Sequence, residues 1–409
     1  MAKIDAFFRL MNAQGASDLH MSAGTAPSLR INGDLEPIKF KELTNEELFE
    51  MLAEIAPERK LKEFLESGDV DFAYELPGLG RYRSNYFRQQ NGVGAVFRQI
   101  PSKIMTIEQL GLPPIARRFA MADKGLVLVT GATGSGKSTT LAAIVDYANK
   151  TRRDHIITIE DPVEFRHQRI NCIVNHREVG LHTKAFSTAL RGALREDPDI
   201  IMVGEMRDLE TIQLALEAAA TGHLVFGTLH TPSAMKTVDR IIDVFPTDAQ
   251  EQVRTTLSES LKGVIAQTLF KRIDGGGRVA ALEVMVNTPA VGNLIREGKT
   301  HQLINALQTG RKIGMQTMDD AIFELVSKRK IAPEEAFERS HDKARFLEFL
   351  PSIPEEYKEL VESLKKTQPT RVGAALEKSG AGSSTTTATR PTSSSTSAVR
   401  RPLGGAPQQ

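Results

Sequence analysis

The sequence has little cysteine, little net charge and no long apolar run, and each shortage excludes a class of protein. Cys172 is the single cysteine among 409 residues, so neither a disulfide framework nor a four-cysteine zinc site can form within one chain. We interpret it as a small, half-buried apolar residue. The 52 Lys and Arg residues are balanced by 51 Asp and Glu, which gives no reason to expect nucleic acid as the main partner. No stretch approaches the roughly 20 apolar residues of a membrane span, so we expect any membrane association to go through partners.

Turn residues and apolar periodicity predict a small α+β domain over residues 1–100. Residues 44–65 have helical spacing with a break at Pro57, and residues 81–99 alternate as a hairpin that turns at Asn91 and Gly92. Residues 101–122 are rich in proline and are predicted to form a linker with one short helix.

Residues 123–365 are predicted to form an α/β domain. Apolar strand runs alternate with helical patterns there, which indicates βαβ units and a largely parallel sheet. A mainly helical part is expected from about residue 289 to residue 350. The predicted strands are residues 126–130, 156–159, 200–203 and 224–228.

The chain ends in a segment of different composition, residues 366–409. Between Ala381 and Ala398, 12 of 18 residues are Ser or Thr, without apolar periodicity. Such a segment cannot bury enough surface to offset its ordering entropy, so we predict a disordered tail.

The strongest motif is GATGSGKST at residues 131–139, which lies between an apolar strand and a predicted helix. This is the G-x-x-x-x-G-K-S pattern of a P-loop in the strand–loop–helix setting that the pattern requires. Its backbone N–H groups and the helix amino terminus favour phosphate, Lys137 can reach the β- and γ-phosphates, and Ser138 can bind Mg²⁺. The predicted ATP-binding residues are Gly131, Ala132, Thr133, Gly134, Ser135, Gly136, Lys137, Ser138 and Thr139.

Acidic residues follow two of the predicted strands, at the sheet edge where ligands of parallel sheets bind. One segment leads to Glu164. The other leads through Gly204, where a Walker B strand usually ends in Asp, to Glu205. We assign Glu205 to the Mg²⁺ and water network and Glu164 as the general base, and the two roles could be exchanged.

Two histidines flank the strand over residues 224–228. His230 follows the strand and could sense the γ-phosphate through a hydrogen bond. His223 precedes the strand, and we expect it to link to Glu205 or Asp161 at the nucleotide site.

Arginine is the usual partner of transition-state charge on a γ-phosphate, often supplied by a neighbouring subunit. The predicted hairpin places Arg81 and Arg83 on one face, which makes them candidates for such a role. Further candidates are Arg195, Arg207 and Arg240.

Together these motifs resemble those of the secretion-type ATPase superfamily, and most closely those of type IV pilus retraction ATPases. The similarity covers residues 1 to about 350. A segment at residues 290–297, AVGNLIRE, is similar to the AIRNLIRE motif of retraction ATPases, but Val291 and Gly292 replace its Ile and Arg. The motifs that carry the resemblance are residues 16–20, the P-loop, residues 157–165, 177–180, 194–201 and 204–208, and the histidine segments 221–223 and 227–231.

The resemblance implies a PAS-like amino-terminal domain, a RecA-like ATPase domain and a homohexamer that binds ATP and Mg²⁺ between the two domains of one subunit. It implies a cytoplasmic motor, held at the inner membrane through the pilus machine, whose load is the pilus platform protein. An accessory retraction ATPase is a further possible partner, and nucleic acid is not expected. Two alternatives stay open, namely an assembly or type II secretion ATPase and a non-motor P-loop regulator.

Overall fold

The computed structural model describes residues 2–358 apart from Asn32, Pro101 and Ser102. The described residues up to Leu350 form one compact unit, and those from Pro351 onward belong to a second, in which Glu355–Tyr357 is a short 3-10 helix. The tail predicted to be disordered, residues 366–409, lies outside the described residues.

Before residue 101 the described chain forms a six-stranded antiparallel sheet flanked by helices. Its spatial strand order, with strands numbered along the chain, is β3-β2-β1-β6-β5-β4. The ring of Phe8 stacks on Tyr82 at 4.2 Å and meets Phe97 edge-on, which fixes the first helix on the sheet. The elements are α1 (Asp5–Ala13), β1 (Asp18–Ser22), β2 (Ser28–Ile31), β3 (Asp34–Pro37), α2 (Asn45–Ile55), α3 (Glu58–Ser67), β4 (Asp69–Leu76), β5 (Gly80–Gln89) and β6 (Gly92–Ile100).

Local sequence signals determine several of these elements. Helix α2 begins at a capping box, in which the Thr44 hydroxyl accepts the backbone N–H of Glu47 and the Glu47 carboxylate accepts that of Thr44. Pro57 separates α2 from α3, and Gly92 turns the β5–β6 hairpin with φ of +126°. The predicted helix break and the predicted hairpin are therefore confirmed.

The second sheet is mainly parallel. Its strand order in the described chain is β13-β12-β7-β11-β10-β8-β9, in which neighbours from β12 to β9 pair in parallel and β13 pairs antiparallel to β12. The strands are β7 (Gly125–Thr130), β8 (His155–Glu160), β9 (Ile173–Glu178), β10 (Ile200–Val203), β11 (Leu224–Leu229), β12 (Leu261–Lys271) and β13 (Arg278–Val286).

Helices cover both faces of this sheet, which is why its central strands are apolar without alternation. In β7, Leu126 and Leu128 join one apolar core, and Val127 and Val129 join the core on the opposite face. The helices are α4 (Ile115–Ala120), α5 (Lys137–Thr151), α6 (Phe186–Ala193), α7 (Leu209–Thr221), α8 (Ala234–Asp243), α9 (Gln250–Ser260), α10 (Pro289–Arg296), α11 (Leu303–Thr309), α12 (Met318–Ser327) and α13 (Pro333–Arg339).

The fold confirms the coarse prediction of a mixed α/β protein. The predicted strands correspond to β7, β8, β10 and β11, and the short helix and the helical carboxy-terminal part are present, whereas β9, β12 and β13 were not predicted. Cys172, expected to be half-buried, is fully buried. Among the described residues, no helix has the length and apolar character to cross a membrane.

Candidate functional site

The phosphate-binding loop lies at the carboxyl end of β7, in the middle of the second sheet. Gly131, Gly134 and Gly136 have φ of +143°, +77° and +89°, which glycine adopts without a steric penalty. A Cβ atom on Gly131 would lie 2.4 Å from the Gln267 carbonyl oxygen, so this position also needs glycine for close packing on β12. Helix α5 begins at Lys137, which directs its amino terminus at the loop.

Lys137 is the cation at the centre of the loop. Its ammonium donates hydrogen bonds to the carbonyls of Gly131, at 3.0 Å, and Ala132, at 3.1 Å. Burial lowers the pKa of Lys137, and the negative fields of Glu205 and Glu164 act against that shift. The lysine is thus held between loop carbonyls and two nearby carboxylates, a position from which it can reach a bound phosphate.

The sheet order brings the predicted acidic and histidine residues to the same edge. Strands β11, β10 and β8 follow β7 across the sheet, and all four run parallel. Their carboxyl ends are therefore adjacent. Glu160 ends β8, Glu205 follows β10 after Gly204, and His230 follows β11.

Glu205 and His230 form a direct contact beside the loop. The imidazole Nε2 lies 2.7 Å from the Glu205 carboxylate, and its Nδ1 lies 3.4 Å from the Thr133 hydroxyl. Glu205 also pairs with Arg207. Burial would raise the pKa of Glu205, but Arg207 and His230 outweigh burial and the net shift is downward, so the carboxyl is ionised at neutral pH.

Glu164 lies on the loop that leaves β8, with an exposed side chain. Its backbone N–H donates to the Glu160 carboxylate at 3.2 Å. One residue earlier, the backbone of Val163 is held at both ends, because its N–H donates to Glu178 at 3.0 Å and its carbonyl accepts from Arg81 at 2.7 Å. The candidate general base is therefore carried by a fixed loop.

The two hairpin arginines have different surroundings. Arg81 is largely buried, bonds the Val163 carbonyl and lies 3.7 Å from Glu178, and burial lowers its pKa. Arg83 is half exposed and pairs loosely with Asp71 at 3.6 Å. Arg81 thus acts on the Glu164 loop of its own chain, while Arg83 has more freedom to meet another molecule. Of the other candidates, Arg207 is at the site through Glu205, whereas Arg195 and Arg240 are exposed.

His223 is at the wrong end of its strand for the predicted role. It precedes β11 and its carbonyl accepts the N–H of Gly125, the first residue of β7. Its ring Nδ1 lies 3.0 Å from the Ala218 carbonyl. The six residues of β11 place the amino and carboxyl ends about 20 Å apart. The expected link from His223 to Glu205 or Asp161 is therefore not made within the described chain.

Two residues of the site were not predicted. Gln267 of β12 accepts the Thr140 hydroxyl at 2.8 Å and donates to the Ser135 carbonyl, so its side chain braces the phosphate-binding loop from the neighbouring strand. Glu160 is 6% exposed and lies behind the loop. Gln267 could have been found in the sequence as a polar residue inside the apolar run that forms β12.

The segment similar to the retraction motif forms α10, which packs against the end of α9. A Cβ atom on Gly292 would lie 3.1 Å from the Ser258 carbonyl oxygen, so glycine lets the two helices approach closely. Arg296 donates to the Ser258 hydroxyl at 3.2 Å. This close approach leaves little room for a larger side chain at position 292.

Ser138 and Glu205 are the residues at this edge whose oxygens could hold a magnesium ion. Among the described residues, no group of three or more His, Cys, Asp and Glu residues is arranged to hold a metal. Ser138 and Glu205 supply few protein oxygens, and Mg²⁺ is commonly bound by one or two protein ligands together with phosphates and waters. The arrangement is therefore chemically suited to Mg²⁺ bound to phosphate.

Comparisons with known proteins identify relatives of this chain. The model of the Type II/IV secretion system protein family matches residues 83–312. The chain is 56% identical over 327 residues to the type IV pilus retraction ATPase PilT of Pseudomonas aeruginosa, covering 80% of this chain and 95% of that protein. It is 52% identical over 316 residues to a twitching motility protein of Neisseria gonorrhoeae, covering 77% and 84% of the two chains.

A solved structure extends the comparison to the fold. The crystal structure of the pilus retraction motor PilT with bound ADP superimposes with a TM-score of 0.78 and 46% identity, covering 84% of this chain and 98% of that chain. On the family match and on these relatives, the chain belongs to the Type II/IV secretion system protein family.

Proposed function

We propose that this chain is an ATP-hydrolysing motor that powers retraction of type IV pili. The observation that supports hydrolysis most directly is Lys137, bonded to the phosphate-binding loop and subject to the fields of Glu164 and Glu205. The similarity to PilT over most of both chains supports retraction as the work that hydrolysis performs.

The loop residues 131–139 would bind the phosphates of ATP through backbone N–H groups and the amino terminus of α5. Lys137 would exchange the two loop carbonyls for β- and γ-phosphate oxygens. Mg²⁺, held by Ser138 with Glu205 and the phosphates, would neutralise charge on the transferring phosphoryl group.

In this proposal Glu164 is the general base that orients the attacking water, because it lies on a fixed loop at the phosphate edge with an exposed carboxylate. Arg207 and His230 keep the Glu205 carboxyl ionised. An ionised carboxylate suits a ligand of the Mg²⁺ and water network. The opposite assignment of these two carboxylates remains the alternative. His230 would sense the γ-phosphate and couple its presence to Glu205. The imidazole contacts both the Thr133 hydroxyl and the Glu205 carboxylate.

The proposal extends to domains and assembly. We assign residues 1–100 to a PAS-like domain, residues 101–122 to a linker and residues 123–365 to a RecA-like domain. The antiparallel sheet supports the assignment of the first domain. The position of β7, which leads into the phosphate-binding loop, in the middle of a mainly parallel sheet supports the assignment of the last domain. In a homohexamer Arg83 would reach the nucleotide of a neighbouring subunit, while Arg81 would hold the Glu164 loop beside the nucleotide of its own subunit. In the cell the motor would lie in the cytoplasm against the inner membrane, with the pilus platform protein and an accessory retraction ATPase as partners.

A deletion strain tests the function. We expect it to keep surface pili that do not retract, and therefore to lose twitching. A strain without pili would contradict retraction and favour an assembly or secretion motor. A purified protein that is monomeric or dimeric and does not turn over ATP would instead favour a non-motor regulator.

A further inference from the structure

A small cavity lies behind the phosphate-binding loop, between α5 and the carboxyl ends of β8, β10 and β11. Its volume is about 20 Å³, which is room for about one water molecule. Ser138 of the loop helix lines it on one side, and Glu160, His167, Gly204 and Thr228 line it on the others. The cavity thus lies between the carboxyl ends of these strands and Ser138, a residue of the predicted nucleotide site.

Two buried polar atoms belong to residues that line this cavity. The Oε1 atom of Glu160 and the Nδ1 atom of His167 are buried and have no hydrogen-bond partner among the described residues. Each side chain is 6% exposed. Buried polar atoms without a partner are rare, and ordered water is a usual partner where a polar cavity has room for it.

The second oxygen of Glu160 is already used. Oε2 accepts the backbone N–H of Glu164 at 3.2 Å. One carboxylate therefore connects the cavity to the backbone of the candidate general base.

Gly204 provides the space for this carboxylate. A Cβ atom at position 204 would lie 3.3 Å from Cγ of Glu160 and 3.1 Å from the Ile159 carbonyl oxygen. A side chain at position 204 would therefore crowd Glu160 of the neighbouring strand.

We propose that the cavity holds one ordered water bonded to Glu160 and His167, and that Glu160 is a positioning residue that fixes Glu164 through its backbone. Glu160 itself does not take the proton of the attacking water. Because ATP turnover is one readout, this part of the inference rests on the proposed function.

Matched variants of Glu160 separate positioning from proton transfer. Glu160→Gln keeps an oxygen for the Glu164 N–H and a polar group for the water, so we expect kcat within about 3-fold of the wild type. Glu160→Leu removes both, and we expect kcat to fall by at least about 30-fold while ATP affinity stays within about 2-fold. Thermal unfolding of each variant is measured alongside.

A second pair of variants tests the water if Glu160→Leu does not fold. His167→Asn keeps a polar group near the position of Nδ1, and we expect near-wild-type kcat. His167→Phe fills the same space without that group, and we expect kcat to fall by about 10-fold at unchanged ATP affinity.

The outcomes are distinct. A Glu160→Gln variant as inactive as Glu160→Leu would mean that Glu160 transfers the proton itself, which overturns the positioning role. Wild-type turnover in Glu160→Leu or His167→Phe would overturn the network. A wild-type protein without turnover would defeat the proposed function, and a high-resolution crystal structure then decides this inference alone: a water bonded to Glu160 and His167 supports it, and an empty cavity overturns it.

Discussion

Lys137 links nucleotide binding to the arrangement of the loop. Its ammonium bonds two loop carbonyls, and the negative fields of Glu205 and Glu164 act on it. In the proposed function, rotation of this one side chain would exchange the carbonyl oxygens for phosphate oxygens.

Lys137→Ala should reduce ATP turnover by at least about 100-fold, because the transferring phosphoryl group loses its fixed positive charge. Steady-state hydrolysis with purified protein measures the effect. Lys150→Ala is the matched control, since Lys150 lies in the last turn of the same helix and pairs with Asp146. Near-native turnover in Lys137→Ala would refute the site.

Glu205→Gln and Glu164→Gln should both abolish most hydrolysis but differ in their dependence on Mg²⁺. If Glu205 holds the ion network, Glu205→Gln raises the Mg²⁺ concentration needed for half-maximal binding of ATP, and Glu164→Gln leaves it unchanged. Titration of nucleotide binding with Mg²⁺ distinguishes them, with the exposed Glu210→Gln as control. The reverse pattern would show that the two roles are exchanged.

Glu160 should make the stability of the protein depend on pH. Burial raises its pKa to about 7 from 4.5, while the nearby Thr158 hydroxyl and the Glu164 backbone N–H oppose that shift. The folded protein thus holds this proton more tightly than the unfolded chain. The associated stability, about 3 kcal/mol at most, is fully present below about pH 4.5 and is lost as the pH rises through about 7.

Comparison of the wild type with Glu160→Gln isolates this contribution, because Gln cannot titrate. We expect the variant to gain stability relative to the wild type as the pH rises from 5 to 8, in unfolding experiments at each pH. A difference that does not vary with pH would contradict the shifted pKa.

Neighbouring elements brace each other around the site. Strand β12 supports the phosphate-binding loop through Gln267, and α9 and α10 approach closely at Gly292. A strand distant in sequence therefore holds the phosphate-binding loop in place, although the motif of that loop is local.

Gly292→Arg, which restores the residue of the related motif, should destabilise this chain by about 1–3 kcal/mol because the added side chain meets the end of α9. The change is measured as a shift of the thermal unfolding midpoint. Asn293→Arg on the exposed side of the same helix is the control and should leave the midpoint nearly unchanged. Equal midpoints for both variants would contradict the packing explanation.

In the proposed ring, arginines of one subunit could contact the nucleotide site of a neighbouring subunit. Arg81 is committed to the Val163 carbonyl and Glu178 of its own chain, whereas Arg83 is half exposed. Arg83 is thus the better candidate for action between subunits.

Mixing two inactive variants tests this action. Arg83→Ala and Lys137→Ala should each be nearly inactive, and an equal mixture should regain about a quarter of wild-type turnover, because some interfaces combine an intact lysine with an intact arginine from the neighbour. Mixing Lys137→Ala with Glu164→Gln is the control, since both residues belong to the same subunit's site. No recovery in the first mixture would contradict a role of Arg83 in a neighbouring site.

The sequence by itself determined the features that rest on short-range patterns. The P-loop, the strands β7, β8, β10 and β11 and the hairpin at Asn91 and Gly92 follow from apolar runs and turn residues a few positions apart. The position of His223 could also have been predicted from the sequence, since a residue that precedes a parallel strand lies at the amino end of that strand.

Only the tertiary structure decided the features that depend on contacts between distant residues. Strand β9 is polar at the sheet edge, and β12 is recognised as part of the site because Gln267 reaches across to the loop. Glu160 and His167 line one cavity because separate elements converge there. Burial and hydrogen bonding across the fold set these roles, and neither is encoded in local periodicity.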